Sequence, residues 1–255
     1  MAEEPILSIS IVSHGHDDLI ELLMRDIAAL PDLGSIELLL TENIPGNLEA
    51  ITARVSLACR LIRNSSPHGF GWNHNQAFRM SRGRYFAIIN PDLRIEDTSL
   101  FGTLVQVLRE RPGVAGPRVV TPDGRIEDSA RHVPSFVRLF ERTVLGRKQP
   151  DYASNVPLQS VDWLAGMCLI FDRESYELLG GFDDGYFLYC EDVDICLRTH
   201  LAGRAVSWVQ TATVVHDARR KSLKSMRHFL WHIASMVRLL LSPIYRKFTK
   251  LSATA

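Results

Sequence analysis

The chain has 255 residues, enough for one large domain or two small ones, and its 46% hydrophobic and 23% charged content is ordinary for a soluble globular protein with a substantial core. The longest uninterrupted apolar run, Trp163 to Phe171, excludes a membrane-spanning helix within it, being far too short to cross a bilayer. A net charge of zero hides an uneven division: residues 1–217 carry 20 basic and 29 acidic side chains, residues 218–255 nine basic and no acidic ones.

The four cysteines, Cys59, Cys168, Cys190 and Cys196, form no Cys-x-x-Cys pair, which favours buried thiols over a disulfide framework or a zinc site. The opening Met-Ala-Glu-Glu-Pro lacks the basic start and apolar core of a signal peptide. A cytoplasmic protein is expected.

Ile6 to Val12 reads as a first strand, followed by a Ser13–His16 loop and a helix with Leu19, Leu23, Ile27 and Leu30 on one face, ended by Pro31. Ile36 to Leu40 is a second strand leading to Thr41-Glu42-Asn43, and a third is expected within Val55 to Ile62. This rhythm indicates an α/β protein with a mainly parallel sheet. A polar loop from Arg63 opens into a helix through Met80. Gly69 and Gly71 permit close backbone approach there, and the helix N-terminus favours an anion.

Arg84 to Ile89 is an apolar strand stopped by Asn90-Pro91-Asp92, since proline cannot donate to a ladder. Asp92 therefore stands at a strand's carboxyl end, where open α/β sheets bind ligands. The tripeptide reads either as a common turn or as a carboxylate holding a divalent cation against phosphate.

A helix from Asp97 to Arg111 follows, then a strand, a Pro-Asp-Gly turn and a second strand within Val114 to Ser129. Residues 134–160 suggest a mobile surface excursion. Val161 to Phe171 reads as one strand, and Glu174 to Leu179 as a short helix. Glu191-Asp192-Val193-Asp194 begins a helix running to about Ala202, where the acids serve either as caps or as chemistry. Val206–Val209 and Thr213–His216 read as two final strands, with His216 at the exit as a surface hydrogen-bonding residue or a ligand contact.

The order of these motifs resembles family 2 glycosyltransferases, inverting nucleotide-sugar enzymes of GT-A fold, and especially their bacterial rhamnosyltransferase-like branch. The matching pieces are Ser8 to Val12, Glu42-Asn43, Asn64 with Gly69-Phe70 and Asn75, Asn90-Pro91-Asp92, Gly180-Gly181-Phe182-Asp183, Tyr189 with Glu191-Asp192-Val193-Asp194, Arg198, and His216 with Arg219-Arg220. The resemblance implies a nucleotide-sugar-binding half over 1–92, an acceptor and catalytic half over 93–217, and a tail over 218–255.

It further implies Mg²⁺ or Mn²⁺ on Asp92, with His216 as a further metal or diphosphate contact. Asp192 becomes the general base, with Glu191 beside it. Ser13, Glu42, Asn43, Gly69, Asn75 and Asn90 fall on the donor side, and Asp162, Trp163, Tyr189 and Asp194 on the acceptor side. Glu42 stands where the family usually has aspartate, and His14-Gly15-His16 replaces a more usual Asn-Tyr-Asn-like loop, so the nucleotide preference stays open.

The implied reaction moves a sugar, rhamnose first, from a dTDP- or UDP-linked donor to a glycan or polyprenyl-linked acceptor in bacterial surface polysaccharide synthesis. Its chemistry is consistent with the residues. A cation on Asp92 stabilises the leaving diphosphate, and a carboxylate at Asp192, its proton affinity raised by Glu191 and Asp194, takes the acceptor proton. The alternative is a catalytically idle module of the same fold that binds a nucleotide sugar or glycan. A nucleotidyltransferase lacks its triphosphate-clamping loop here, and no motif supports nucleic-acid binding.

In the tail, Met226, Phe229, Leu230, Ile233, Met236, Val237 and Leu240 recur at helical spacing opposite Lys224, Arg227, His228 and Arg238, and Pro243 ends the segment. Two readings stand: a helix docked on the core, or an in-plane anchor through residues 219–250 on an anionic membrane surface, giving a cytoplasmic protein peripheral on the inner face.

Overall fold

The structure, a computed structural model, describes residues 5–31, 36–55, 58–134, 150–217 and 226–252. Strand β1 (Leu7–Ser13) pairs in parallel with β2 (Ile36–Glu42) on one side and β4 (Tyr85–Ile89) on the other, and β3 (Arg60–Arg63) extends the sheet beyond β2. Helices α1 (Asp17–Ala28), α2 (Leu48–Val55) and α3 (Phe70–Met80) lie between these strands in sequence.

Beyond β4 the sheet continues through β10 (Cys168–Asp172), which runs against both β4 and β6 (Gly113–Val120). Strand β11 (Ala205–His216) is parallel to β6, while β5 (Leu93–Arg94) and β8 (Leu158–Ser160) run against β11. The order is β3-β2-β1-β4-β10-β6-β11-β5, with β8 beside β11, so six of the nine strands share one direction and the expected mainly parallel α/β sheet is present. A separate ribbon joins β7 (Ala130–Arg131) to β9 (Trp163–Leu164).

Both faces of this sheet are covered, which is why β4 is apolar at every position. Tyr85, Ala87 and Ile89 point into a core shared with α1 and α4 (Leu100–Glu110). Phe86 and Ile88 point into a second core shared with α5 (Arg173–Leu179) and α6 (Glu191–Leu201). A fully buried leucine or isoleucine contributes about 1.5–3 kcal/mol, so the two cores fix the register of β4 and hence where Asp92 emerges.

The structure refines the sequence expectation in four places. Residues up to Val55 belong to α2, whose Leu48 and Ile51 are buried on one helical face, and the third strand begins only at Arg60. The run from Val161 breaks at Ala165–Met167 into β9 and β10. The two final strands are one, β11, with a register shift between Val209 and Thr213. Pro243 opens a further helix, α8 (Pro243–Ser252), at the first-turn position where a missing N–H costs nothing. Residues 135–149 of the expected excursion lie outside the described residues.

The tail docks on the core. Phe248 of α8 is buried near His200 of α6, and the Tyr245 hydroxyl donates to the Pro134 carbonyl at 2.8 Å. Helix α7 (Met226–Leu241) packs through Leu239 and Ser235, whose hydroxyl donates to the Leu188 carbonyl at 2.8 Å. Its contact face is thus partly polar, matching the carbonyls and hydroxyls it meets, and most of the apolar face expected from the sequence points away from the core.

Asp194 of α6 is 4% exposed at its side chain and accepts from Arg198 Nε at 2.7 Å, while Arg198 Nη1 donates to the carbonyls of Leu179 and Gly181. Removing one partner of such a buried pair strands the other's charge. Asp194→Ala is expected to lower the unfolding free energy by about 3–5 kcal/mol in urea denaturation.

Candidate active site

The Asp92 carboxylate leaves the end of β4 with its two oxygens in different circumstances. Oδ2 meets His216 Nε2 at 3.2 Å, whereas Oδ1 is buried without a hydrogen-bond partner among the described residues. His216 Nδ1 in turn meets Glu127 Oε2 at 2.8 Å, so the imidazole is held between two carboxylates. Burial alone would lower the His216 pKa. The hydrogen bonds and charges of Asp92 and Glu127 outweigh it and raise the value to about 9. Without a bound cation, these two carboxylates favour the imidazolium form of the ring at neutral pH.

Asp192 occupies the first turn of α6. Its Oδ2 accepts from Gly166 N at 3.0 Å and its Oδ1 from Val193 N at 2.9 Å. Burial raises its proton affinity, against the lowering effect of those N–H groups and of Arg131. Glu191 is pushed well above the usual carboxylate range, by burial first and then by the charge of Asp192, and its Oε2 has no partner among the described residues. Immediately before them, Tyr189 and Cys190 take left-handed backbone conformations, with φ of 73° and 65°. Such conformations cost non-glycine residues energy and persist where packing enforces them.

The Asp92 and Asp192 motifs are joined by one short loop. Gly166 N holds the Asp192 carboxylate, and the next residue, Met167, accepts the Asn90 N–H through its carbonyl at 2.9 Å. The other end of that loop, Ala165 N, donates to the Ser129 carbonyl on the segment that carries both Glu127 and Arg131.

A pocket of about 360 Å³ opens beside Asp192, with Glu191, Arg131, Trp163, Tyr189, His232 and Met236 among its lining residues. Asp162 lies behind this wall. It accepts from Val133 N at 2.8 Å and from the Tyr152 hydroxyl at 2.9 Å, and meets His132 at 3.2 Å, so it fixes the lining rather than forming it. Trp163 Nε1 donates to the His132 carbonyl, and Arg131 lies 5.4 Å from the centre of the Trp163 ring. Of the expected acceptor-side residues, the structure brings Trp163 and Tyr189 to the pocket. Asp194 instead faces Arg198.

Of the residues expected on the donor side, Ser13 ends β1 buried, and its carbonyl accepts the Asn43 N–H. Glu42 Oε1 accepts from Gly46 N at 3.2 Å and Oε2 lies 3.4 Å from Arg63. Asn43 Oδ1 accepts from Asn64 Nδ2 at 2.7 Å and His68 N at 2.8 Å.

Asn75 is occupied beneath the Gly180–Asp184 turn. Its amide donates to the Phe182 carbonyl and Asp184, and its oxygen accepts from the Tyr176 hydroxyl and Phe182 N. At Gly69 the close approach is by protein: a Cβ there would sit 2.6 Å from the Phe187 carbonyl oxygen.

A model of the family described as "Glycosyl transferase family 2" matches residues 34–179, more than half of the chain. The chain belongs to glycosyl transferase family 2. The rhamnosyltransferase WbbL of Escherichia coli K12 is 28% identical over 248 residues, 91% of each protein. The N-acetylglucosaminyl-diphospho-decaprenol L-rhamnosyltransferase of Mycobacterium tuberculosis H37Rv is 34% identical over 139 residues, 51% of this chain and 45% of that protein.

Among solved structures, mannosyltransferase PcManGT from Pyrobaculum calidifontis, in complex with GDP-Man and Mn²⁺, superposes with a TM-score of 0.65 at 17% identity, over 92% of this chain and 65% of its own. GalNAc-T7 with UDP, GalNAc and Mn²⁺ gives 0.66 at 18% identity, over 86% and 44%. The chain is thus a glycosyltransferase of GT-A fold.

Four residues of this glycosyltransferase's site escaped the sequence. Glu127 and Arg131 lie in a hairpin-like stretch with no motif of its own, and His232 and Met236 belong to a tail that reads as separate from the catalytic unit. A partnerless, buried Asp92 oxygen fits a hard divalent cation. Among the described residues no three His, Cys, Asp or Glu side chains cluster so as to form a complete metal cage by themselves.

Because folding raises the His216 pKa, its contribution is complete below the unfolded value near 6.5 and disappears as pH rises through about 9. In chelator-treated protein, unfolding free energy is expected to fall by up to about 3 kcal/mol across that window, while His216→Gln shows a flatter profile by urea denaturation.

Proposed function

We propose that this glycosyltransferase moves a sugar, L-rhamnose first, from a dTDP- or UDP-linked donor to a hydroxyl of a glycan on a polyprenyl carrier. The transfer inverts the anomeric centre, depends on Mg²⁺ or Mn²⁺, and serves bacterial surface polysaccharide synthesis at the inner face of the membrane. The observation that carries this reading is the joining, through Gly166 and Met167, of a partnerless Asp92 oxygen at the sheet edge to an Asp192 carboxylate on the pocket wall. The family membership supports the reaction class, and the two rhamnosyltransferase relatives support the sugar and the lipid-linked acceptor.

Asp92 would hold the cation on the donor diphosphate, and the His216 imidazolium beside it would contact the diphosphate itself. The cation supplies charge stabilisation to the departing nucleoside diphosphate. Asp192 takes the proton from the attacking acceptor hydroxyl, its raised proton affinity bringing it nearer the working pH. Gly166 N and Val193 N fix which carboxylate edge is offered. Arg131 sits in the acceptor pocket as the cation for an anionic acceptor group, and Trp163 and Tyr189 offer ring faces to a sugar. Ser13, Glu42, Asn43 and Asn90 frame the nucleotide end.

Asp192→Asn is expected to lower the rate constant for transfer by 10²–10⁴-fold or more, while the nucleotide-induced thermal shift is preserved. In a screen of dTDP, UDP and GDP with and without Mn²⁺, one nucleotide should stabilise the wild-type protein only when metal is present, and Asp92→Asn should abolish that metal-dependent shift. Full activity of Asp192→Asn, or a nucleotide shift indifferent to metal, would contradict the scheme.

A further inference from the structure

Helix α7 is amphipathic in the reverse sense to an ordinary docked helix. Its inward side is held by Leu239, by the Ser235 hydroxyl on the Leu188 carbonyl, by His228 Nδ1 3.0 Å from the Tyr189 hydroxyl, and by Arg238, which pairs with Asp183 at 2.8 Å and lies over the Tyr186 ring. Its outward side carries Met226, Phe229, Leu230, Ile233, Val237 and Leu241, each between 46% and 72% exposed. Steps of three and four residues place them on one continuous stripe. Trp231 sits at the edge of the stripe, its ring against Phe187 at 4.6 Å and under Arg227 at the same distance.

An apolar stripe this continuous is costly in water, so it marks a contact surface. Charge decides what it contacts. Residues 218–255 hold nine basic side chains and no acidic one, and although Arg238 is turned inward on Asp183 the balance stays strongly positive, so apposing two copies of the tail would bring like charges together, whereas an anionic lipid surface is complementary. No helix among the described residues is long and apolar enough to cross a membrane, so α7 would lie in the plane of the interface.

We infer that the outward face of α7 is a docking surface for an anionic lipid bilayer, with the stripe inserted among the acyl chains and the net positive charge of the tail attracting the headgroups. The same helix supplies His232 and Met236 to the pocket beside Asp192, so docking would bring the pocket to the lipid boundary. In what it says of the acceptor, this assignment rests on the proposed transfer to a lipid-linked sugar. The docking itself rests on the stripe and the charge.

The test is co-sedimentation of the full chain with phosphatidylcholine vesicles, with and without phosphatidylglycerol, at low and high salt. The protein should pellet with phosphatidylglycerol vesicles at low salt. The exposed double substitution Ile233→Glu/Val237→Glu should reduce partitioning by at least about tenfold, with circular dichroism and the nucleotide thermal shift unchanged.

Wild-type protein remaining in the supernatant with phosphatidylglycerol at low salt overturns the inference, as does a double variant that pellets equally well. A concentration-dependent dimer that the glutamates dissociate, with no vesicle binding, overturns it in favour of self-association. Vesicle binding without any nucleotide shift would leave the docking surface standing and remove the donor reading instead.

Discussion

Two backbone hydrogen bonds from consecutive residues constrain the rest of the site. Gly166 N fixes the Asp192 carboxylate and the Met167 carbonyl fixes Asn90, so the turn between β9 and β10 locks the amino end of α6 to the carboxyl end of β4. This explains why the apolar run from Val161 cannot be one straight strand: the backbone must leave the ladder to present an N–H to a carboxylate and a carbonyl to the neighbouring turn. The same N–H restrains the Asp192 proton affinity, which burial pushes upward. The two effects oppose each other on a carboxylate in a pocket that also contains Glu191.

Between β2 and α3, a chain of side-chain amides performs the corresponding task. Asn43 accepts from Asn64, Asn64 donates to Asn73, and Asn73 donates to the carbonyls of His68 and Gly69, so the loop before α3 is held to the end of β2 without a regular ladder. Asn75, one helical step further, spends its amide on the turn that leads towards Tyr189 and Cys190. Buried polar networks of this kind are rigid when fully satisfied.

Much of this was legible in the sequence because it depends on local pattern. The run Tyr85 to Ile89 and its Asn-Pro-Asp stop announce a buried strand and a carboxylate at its end, and Glu191-Asp192 announces a helix start. What could not be read depends on distant partners. His216 and Glu127 are 89 residues apart and Asn75 and Asp184 are 109 apart, and neither pairing leaves a periodic trace. The tail shows the same limit. Helical spacing revealed two faces on α7, yet which one meets the core is set by the Leu188 carbonyl and the Tyr189 hydroxyl waiting there.

Cys190 lines the pocket, one residue from the carboxylate pair, in a left-handed turn. Burial first, and then the negative charges of Asp192 and Glu191, raise its thiol far above the ordinary range, and Cys168 and Cys196 are pushed up to about 12 by burial. A sulfur held as the thiol is a poor nucleophile towards peroxides, disulfides and alkylating agents. The burial that raises the proton affinity of the carboxylates thus also holds the neighbouring sulfur in its thiol form.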